Sequence, residues 1–133
     1  MSGFDIIIEK NVTEKDLKNA MATAFCVLKK NIFISDDYVD TPLSDEIKIW
    51  CIATPIEGDF SLSCMVFIRD ENITCTAIKI VKELCKFLST NCLISNENVD
   101  PFEWILINPN GNHVLVNLNS DELENDRYIL SVT

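Results

Sequence analysis

Residues 31–40 have the sequence NIFISDDYVD, and residues 91–100, sixty positions later, have the sequence NCLISNENVD. Each copy follows a segment with helical spacing of apolar residues and precedes two strand-like segments, so the chain divides into two helix–strand–hairpin units, 11–70 and 71–133. An internal repeat is our preferred interpretation. The alternative is that any strand leaving a helix into a turn favours Ile followed by Ser, Asn or Asp. Five of the ten positions are identical: Asn31/Asn91, Ile34/Ile94, Ser35/Ser95, Val39/Val99 and Asp40/Asp100.

The first helical segment is predicted over residues 13–30. Thr13 is suited to the N-cap, with Asp16 three residues later in a position resembling a capping box. Lys29 and Lys30 are expected in the last turn, where cations complement the helix dipole. Its apolar stripe consists of Leu17, Ala20, Met21, Ala24, Phe25 and Leu28.

The second helical segment is predicted over residues 74–90, with Thr74 or Asn72 as its N-cap. Apolar residues at helical spacing form core contacts more often than a cofactor site, so we assign this stripe to the core. Its members are Ala77, Ile78, Ile80, Val81, Leu84, Cys85 and Leu88.

Runs of β-branched and alternating apolar residues predict the strands. We expect an α+β fold with a mostly antiparallel sheet and the two main helices on one face, which leaves the other face or the loop end available for a partner. The two units are expected to join around a pseudo-twofold axis. A helical turn is predicted over residues 120–126 and a last edge strand over 128–132. The other predicted strands are 4–9, 32–34, 46–54, 60–68, 103–108 and 113–118.

Length and composition fit one domain over residues 1–133. The chain has 47% apolar and 24% charged residues, and a chain of this length buries about two thirds of its unfolded surface. No apolar run approaches the length of a membrane span, and the N-terminal MSGFDIIIEK lacks a secretory signal pattern. The sequence therefore predicts a cytoplasmic protein that does not contact a membrane.

The six cysteines lie in apolar segments and no pair has CxxC spacing, so we predict free, mostly buried thiols rather than a disulfide framework. The only histidine, His113, has no cysteine near it in sequence, and we predict no metal site and no cofactor. No glycine-rich phosphate loop and no catalytic constellation is present, so the chain is predicted not to be an enzyme. Chemistry based on Asp36, Asp37 or a cysteine is kept as an alternative.

The charge distribution is uneven. The chain has 21 acidic residues against 11 Lys and Arg, a net charge of −10. The two helical segments carry seven Lys and three acids, or +4, so the remainder carries 18 acids and four bases, or −14. Nucleic acid is excluded as a partner, because neutralising phosphates needs Lys and Arg.

The acids cluster in predicted loops, which suggests a surface that captures a basic protein by electrostatic steering. Tyr38 lies within the first acidic loop, and interface hot spots favour Tyr and Trp. The alternative is that the acids serve solubility alone. A late acidic group, from Asp121 to Asp126, follows the last predicted hairpin. The predicted partner-binding residues are Asp36, Asp37, Tyr38, Asp40, Asp45, Glu46, Glu57, Asp59, Glu97 and Asp100.

The stretch DPFEWILINPNGNHVLVNLNSDELENDRY, residues 100–128, together with the size, acidity and element order of the whole chain, resembles small acidic bacterial immunity proteins of contact-dependent inhibition and other polymorphic toxin systems. The resemblance implies a tight one-to-one complex in which the protein covers or flanks the active site of a basic toxin nuclease. We therefore expect an immunity or inhibitor protein. The alternative is a secretion chaperone or adaptor, which acts as a dimer and offers apolar grooves.

Overall fold

The computed structural model describes residues 2–96, 102–125 and 127–131. A single seven-stranded sheet with the order β2-β3-β5-β1-β6-β7-β8 dominates the fold, and β4 pairs with β9 beside it. Every neighbouring pair in the large sheet is antiparallel except β2–β3. In chain order, the strands are β1 (Ser2–Ile8), β2 (Ile32–Ser35), β3 (Ile49–Pro55), β4 (Glu57–Gly58), β5 (Leu62–Ile68), β6 (Cys92–Ser95), β7 (Glu103–Ile107), β8 (His113–Asn117) and β9 (Arg127–Tyr128).

The first helix, α1 (Glu14–Phe25), is shorter than predicted. Thr13 is the N-cap as predicted, and its hydroxyl accepts a hydrogen bond from the Asp16 amide at 3.1 Å. The helix ends because Cys26 adopts a left-handed conformation with φ 57°. The prediction that Lys29 and Lys30 lie in the last turn of this helix is therefore wrong, since both belong to a separate 3-10 turn, Lys29–Asn31.

The second helix, α2 (Ala77–Leu88), starts later than predicted. Its N-cap is Thr76 rather than Thr74 or Asn72, and the Thr76 hydroxyl accepts from the Lys79 amide at 3.4 Å. A third helix, α3 (Ser120–Leu123), occupies the first part of the predicted helical turn over 120–126.

Both long helices pack against one face of the sheet, which confirms the predicted α+β architecture. The central strand β1 contributes Ile6 and Ile8, both 0% exposed, and α1 and α2 cover them with Met21 and Leu84. The predicted apolar stripes of both helices face this core, except that Leu28 is 62% exposed. Among the described residues, no helix is long and apolar enough to cross a bilayer.

A second, smaller core lies on the opposite face of the sheet. Ile7 and Leu93 point there from β1 and β6, and Phe60 and Leu118 close over them. The segment around β9 forms part of this cover. In the described part of the predicted edge strand over 128–132, Tyr128 belongs to the two-residue strand β9, which pairs parallel with β4, and Leu130 forms an isolated bridge to Leu118. Residue 132 lies outside the described residues.

The order of the strands contradicts the predicted pseudo-twofold arrangement. β2 lies at the edge of the sheet and pairs parallel with β3, whereas β6 lies beside the central β1 and pairs antiparallel with β7. Equivalent strands of two symmetric units would lie equally far from the axis. The repeated motif thus matches in element order but not in strand position.

Candidate functional site

The acids of the loop between β2 and β3 separate into two groups. Because β2 and β3 are parallel, the loop must return along the length of β3. Asp36 lines a cavity together with Ala53, which lies in the second half of β3. Glu46 lies near the other end, because its carbonyl accepts a hydrogen bond from the side chain of Asn31, the residue just before β2. Ile49 and Ala53 are four residues apart in β3, roughly 13 Å at about 3.3 Å per residue. Asp36, Asp37, Tyr38 and Asp40 are exposed, as are Asp45 and Glu46.

At the start of β3, the acids have cationic neighbours. The Glu46 carboxylate lies 3.0 Å from the Lys30 ammonium, and Lys48 lies 3.7 Å from Asp70. The Arg69 guanidinium donates to the carbonyls of Ser44 and Ile47 at 3.0 and 2.8 Å. This end of the sheet is therefore largely charge-compensated and is the weaker part of the predicted binding surface.

At the end of β3, the β4–β9 pairing brings together two groups of acids that are far apart in sequence: those of the turn between β3 and β5 and those of α3. Glu57 lies opposite Arg127 in this pairing, which places the β3–β5 turn beside α3. The Asp59 carboxylate accepts from the Leu130 amide at 2.9 Å, and Arg127 lies 3.2 Å from Glu122. We call the resulting set the acidic cluster. Its members are Glu57, Asp59, Asp121, Glu122 and Glu124.

Three acids of the sequence prediction lie outside the described residues: Glu97 and Asp100 of the second motif copy, and Asp126 of the late acidic group. The prediction that the loop after β6 contributes to the same surface as the loop after β2 stays a prediction. The acidic cluster depends on contacts between residues far apart in sequence, such as the hydrogen bond between Asp59 and Leu130. No local sequence pattern predicts such contacts.

An aromatic row lies on the sheet face that the long helices do not cover. The Tyr38 and Trp50 ring centroids are 5.2 Å apart, and those of Trp50 and Phe67 are 5.4 Å apart. The Trp50 indole N–H donates to the Ser35 hydroxyl at 2.9 Å, which fixes the orientation of the ring. Tyr38 remains 64% exposed, so the row ends in a ring that is available for contact.

The next row of this face combines apolar groups with one carboxylate. Met65 is in register with Ile52 on one side and with Asp5 on the other. Met65 is 45% exposed, and partial burial raises the pKa of the Asp5 carboxyl above its ordinary value of 3.8. Within the described part of the chain, Asp5 has no cation within ion-pair distance.

These rows of β3 and β5 lead to a cavity at one end of the same sheet face. Above the Ile52–Met65 row, Thr54 and Ser63 line a cavity of about 470 Å³ together with Glu57 and Tyr128. Tyr128 packs edge-to-face on Trp104 with centroids 6.1 Å apart and forms one wall. We call this feature the sheet-face groove. It consists of the cavity, lined by Thr54, Ser63, Glu57 and Tyr128, and of the neighbouring residues on the same sheet face, Tyr38, Trp50, Ile52, Met65, Phe67 and Asp5.

Reactive groups are sparse elsewhere. All six cysteines are free as predicted, and four of them are buried. A hydrogen bond with Cys64, together with burial, raises the pKa of the Cys51 thiol well above its usual range, so this thiol stays protonated. His113 is exposed on β8. No group of His, Cys, Asp and Glu side chains in the described ranges is arranged to hold a metal ion.

Comparison with known proteins assigns the chain to no family. No protein-family model matches it, and neither a curated protein nor a solved structure matches it significantly.

Proposed function

We propose that this protein binds and neutralises a basic partner protein, most concretely a toxin nuclease, through the acidic cluster and the sheet-face groove. The observation that carries the proposal is the juxtaposition of the two: Glu57 belongs to the acidic cluster and also lines the groove, whose other end is the exposed Tyr38. The resemblance of the chain to small acidic immunity proteins points to the same function.

The groove suits long cationic side chains. Lys and Arg place an apolar stem along apolar surface and keep the charged head on a polar or aromatic group. The exposed Met65 offers such a surface, and a guanidinium or ammonium over the exposed Tyr38 ring gains a cation–π contact worth about 0.5–2 kcal/mol.

Asp5 gives the groove a preference for positively charged groups. Partial burial raises the pKa of the Asp5 carboxyl, and no cation of the described residues lies within ion-pair distance of it. A cation from the partner would relieve this cost. A nonpolar partner would instead bury Asp5 further, so the groove favours a basic ligand over an apolar one.

The proposal is tested by measuring how fast the protein associates with a basic partner. The partner is the product of the neighbouring reading frame, made as a catalytically inactive variant. Two double variants reverse charge: Asp36→Lys/Asp40→Lys in the loop that carries Tyr38, and Glu57→Lys/Glu124→Lys in the acidic cluster. Each double variant should slow association by about tenfold or more and change dissociation much less, because steering acts on the encounter.

The matched control is Glu83→Lys/Glu71→Lys, which makes the same change of net charge at exposed positions away from the groove. Raising the salt from roughly 0.01 M to roughly 0.15 M shortens the Debye length from about 30 Å to about 8 Å and should slow the wild-type protein most. The proposal is contradicted if neither the two double variants nor salt changes the association rate. It is also contradicted if the control variant slows association as much as the two double variants do.

A further inference from the structure

The helix side of the molecule carries a second groove, which the proposed function does not use. Residues of α1, of the turn after it and of α2 line a cavity of about 470 Å³, a volume within the range of about 300–1,000 Å³ that ligand sites have. Leu28 and Phe87 are 62% and 50% exposed there, although large apolar side chains are usually buried. We call this feature the helix-side groove. Its lining residues are Asn19, Ala22, Thr23, Val27, Leu28, Lys29 and Phe87.

The turn that presents Leu28 is held by hydrogen bonds. Just after α1, the Val27 amide donates to the Ala22 carbonyl at 3.0 Å. The buried Asn31 then holds Leu28 twice: its side-chain oxygen accepts from the Leu28 amide at 3.1 Å, and its amide donates to the Leu28 carbonyl at 2.9 Å. The Asn31 side chain also donates to the Glu46 carbonyl at 2.9 Å. The backbone of Leu28 is therefore fixed, and a preordered apolar group loses little conformational entropy when a partner binds.

Charge identifies the kind of partner that fits this groove. Residues 13–30 and 74–90, which contain the two long helices, have seven Lys against three acids, whereas the whole chain has a net charge of −10. Of these lysines, only Lys30 lies within ion-pair distance of a carboxylate of the described residues, at 3.0 Å from Glu46. Lys29 lines the groove itself, and no acid is among its described lining residues. The positive charge around the groove attracts an acidic partner and repels a basic one.

The shape of the groove favours a helix of the partner. Leu28 and Phe87 remain exposed although they line it, so the groove is open to solvent and encloses a small molecule poorly. The backbone groups of α1 and α2 are used within these helices, so the groove offers an extended peptide no strand edge to pair with. An amphipathic helix needs no such edge, because it places apolar side chains at positions i, i+3, i+4 and i+7 into an apolar groove.

We propose that the helix-side groove binds an acidic amphipathic helix of a partner protein. The apolar residues of that helix contact Leu28 and Phe87, and its carboxylates pair with Lys29 and with Lys86, which adjoins Phe87 in α2. The inference does not depend on the proposed function, because the sheet-face groove lies on the face of the sheet that the long helices do not cover and is proposed to take a basic partner.

Binding of designed helical peptides to the full chain tests the proposal. The probe is a fluorescently labelled peptide of about 18 residues, roughly five helical turns, with leucines at the spacing given above and glutamates on both sides of the leucine stripe. The comparison peptide has lysine at every glutamate position. By fluorescence anisotropy, the acidic peptide should bind with a Kd below about 1 mM, and the basic peptide should not bind.

Two groove variants and two matched controls locate the binding energy. Leu28→Ser should weaken binding of the acidic peptide by about tenfold or more, because it removes apolar contact area. Lys29→Glu should weaken it by about fivefold or more, because it replaces an attraction with a repulsion. Leu115→Ser removes an equally exposed leucine from β8, and Lys82→Glu makes the same charge change on another side of α2 from Phe87. Both controls should leave the affinity unchanged.

Amide chemical shifts and lipid vesicles complete the test. Addition of the acidic peptide should shift the amide resonances of Ala22, Leu28 and Phe87 most, and vesicles of phosphatidylglycerol and phosphatidylcholine should not bind the protein. Four results would overturn the proposal: no binding of the acidic peptide at about 1 mM, equal binding of the basic peptide, controls that weaken binding as much as the groove variants do, or binding to the vesicles that Leu28→Ser and Lys29→Glu abolish.

Discussion

Gly58 is the position at which the architecture of the acidic cluster is most open to a direct test. It adopts φ 110°, and a Cβ atom placed there would lie 2.8 Å from the Tyr128 carbonyl oxygen and 3.0 Å from the Tyr128 nitrogen. Both are backbone atoms of β9, which cannot rotate away as a side chain can. The substitution Gly58→Ala must therefore push β9 away from β4, and with it α3 away from Glu57.

Two costs add in Gly58→Ala. A side chain forced into a left-handed backbone conformation costs about 1–2 kcal/mol, and overpacking against fixed neighbours costs about 1–3 kcal/mol. We therefore expect the free energy of unfolding to fall by about 3 kcal/mol. With an unfolding entropy of about 2.1 cal/mol/K per residue, this corresponds to a fall in Tm of about 10 °C for 133 residues.

Gly111→Ala is the matched control, because Gly111 also has positive φ, 84°, but a Cβ atom there would meet no heavy atom within 4 Å. It should lose only the conformational part, about 1–2 kcal/mol. Urea and thermal unfolding of both variants give the two values. Amide exchange adds a local measurement, since the Asp59 amide donates to the Tyr128 carbonyl at 2.9 Å and should lose protection in Gly58→Ala alone. Equal destabilisation of the two variants, with Asp59 still protected, would refute the described β4–β9 contact.

Two further predictions concern titratable groups. Because burial raises the pKa of Asp5 in the folded protein, the folded state binds more protons than the unfolded state, and the free energy of unfolding falls as the pH rises through that range. Asp5→Asn should therefore stabilise the protein at neutral pH and give no gain at about pH 3 in urea titrations, and a gain independent of pH would contradict this assignment. In thiol labelling of the folded protein, the exposed Cys26 should react first and Cys75, whose pKa burial raises, more slowly. Cys51, Cys64, Cys85 and Cys92 should react only on unfolding, and fast labelling of all six would refute their burial.

Local patterns predicted the elements well but not where the first helix ends. The apolar stripe of α1 continues in sequence to Leu28, yet the helix stops at Phe25 because Cys26 turns left-handed. A glycine or asparagine at this position would have predicted the end of the helix, whereas a cysteine does not. Leu28 is consequently exposed rather than buried in the core.

Contacts between segments far apart in the chain could not be predicted from the sequence, for a different reason. The pairing of β4 with β9 joins Glu57 to Arg127, and the parallel pairing of β2 with β3 separates Asp36 from Glu46. Two-residue strands carry no alternation of apolar residues, and a short apolar strand pairs equally well in either direction. The aromatic row depends on the same information, since only the register places Trp50 beside Phe67.

The asymmetry of charge is an argument for the proposed binding surface over an acidic surface that only maintains solubility. Charge that only maintains solubility can be distributed evenly. In this molecule, however, α2 places Lys79, Lys82 and Lys86 on the helix side, whereas the acidic cluster reaches the sheet-face groove through Glu57. Under the proposed function, a cationic partner would be attracted to the groove and repelled from α2, so that the encounter would be oriented before contact. In this proposal the aromatic row and Asp5 would act at short range, after steering has oriented the partner. Uniform acidity would supply the long-range attraction, but it would not present one face of the molecule first.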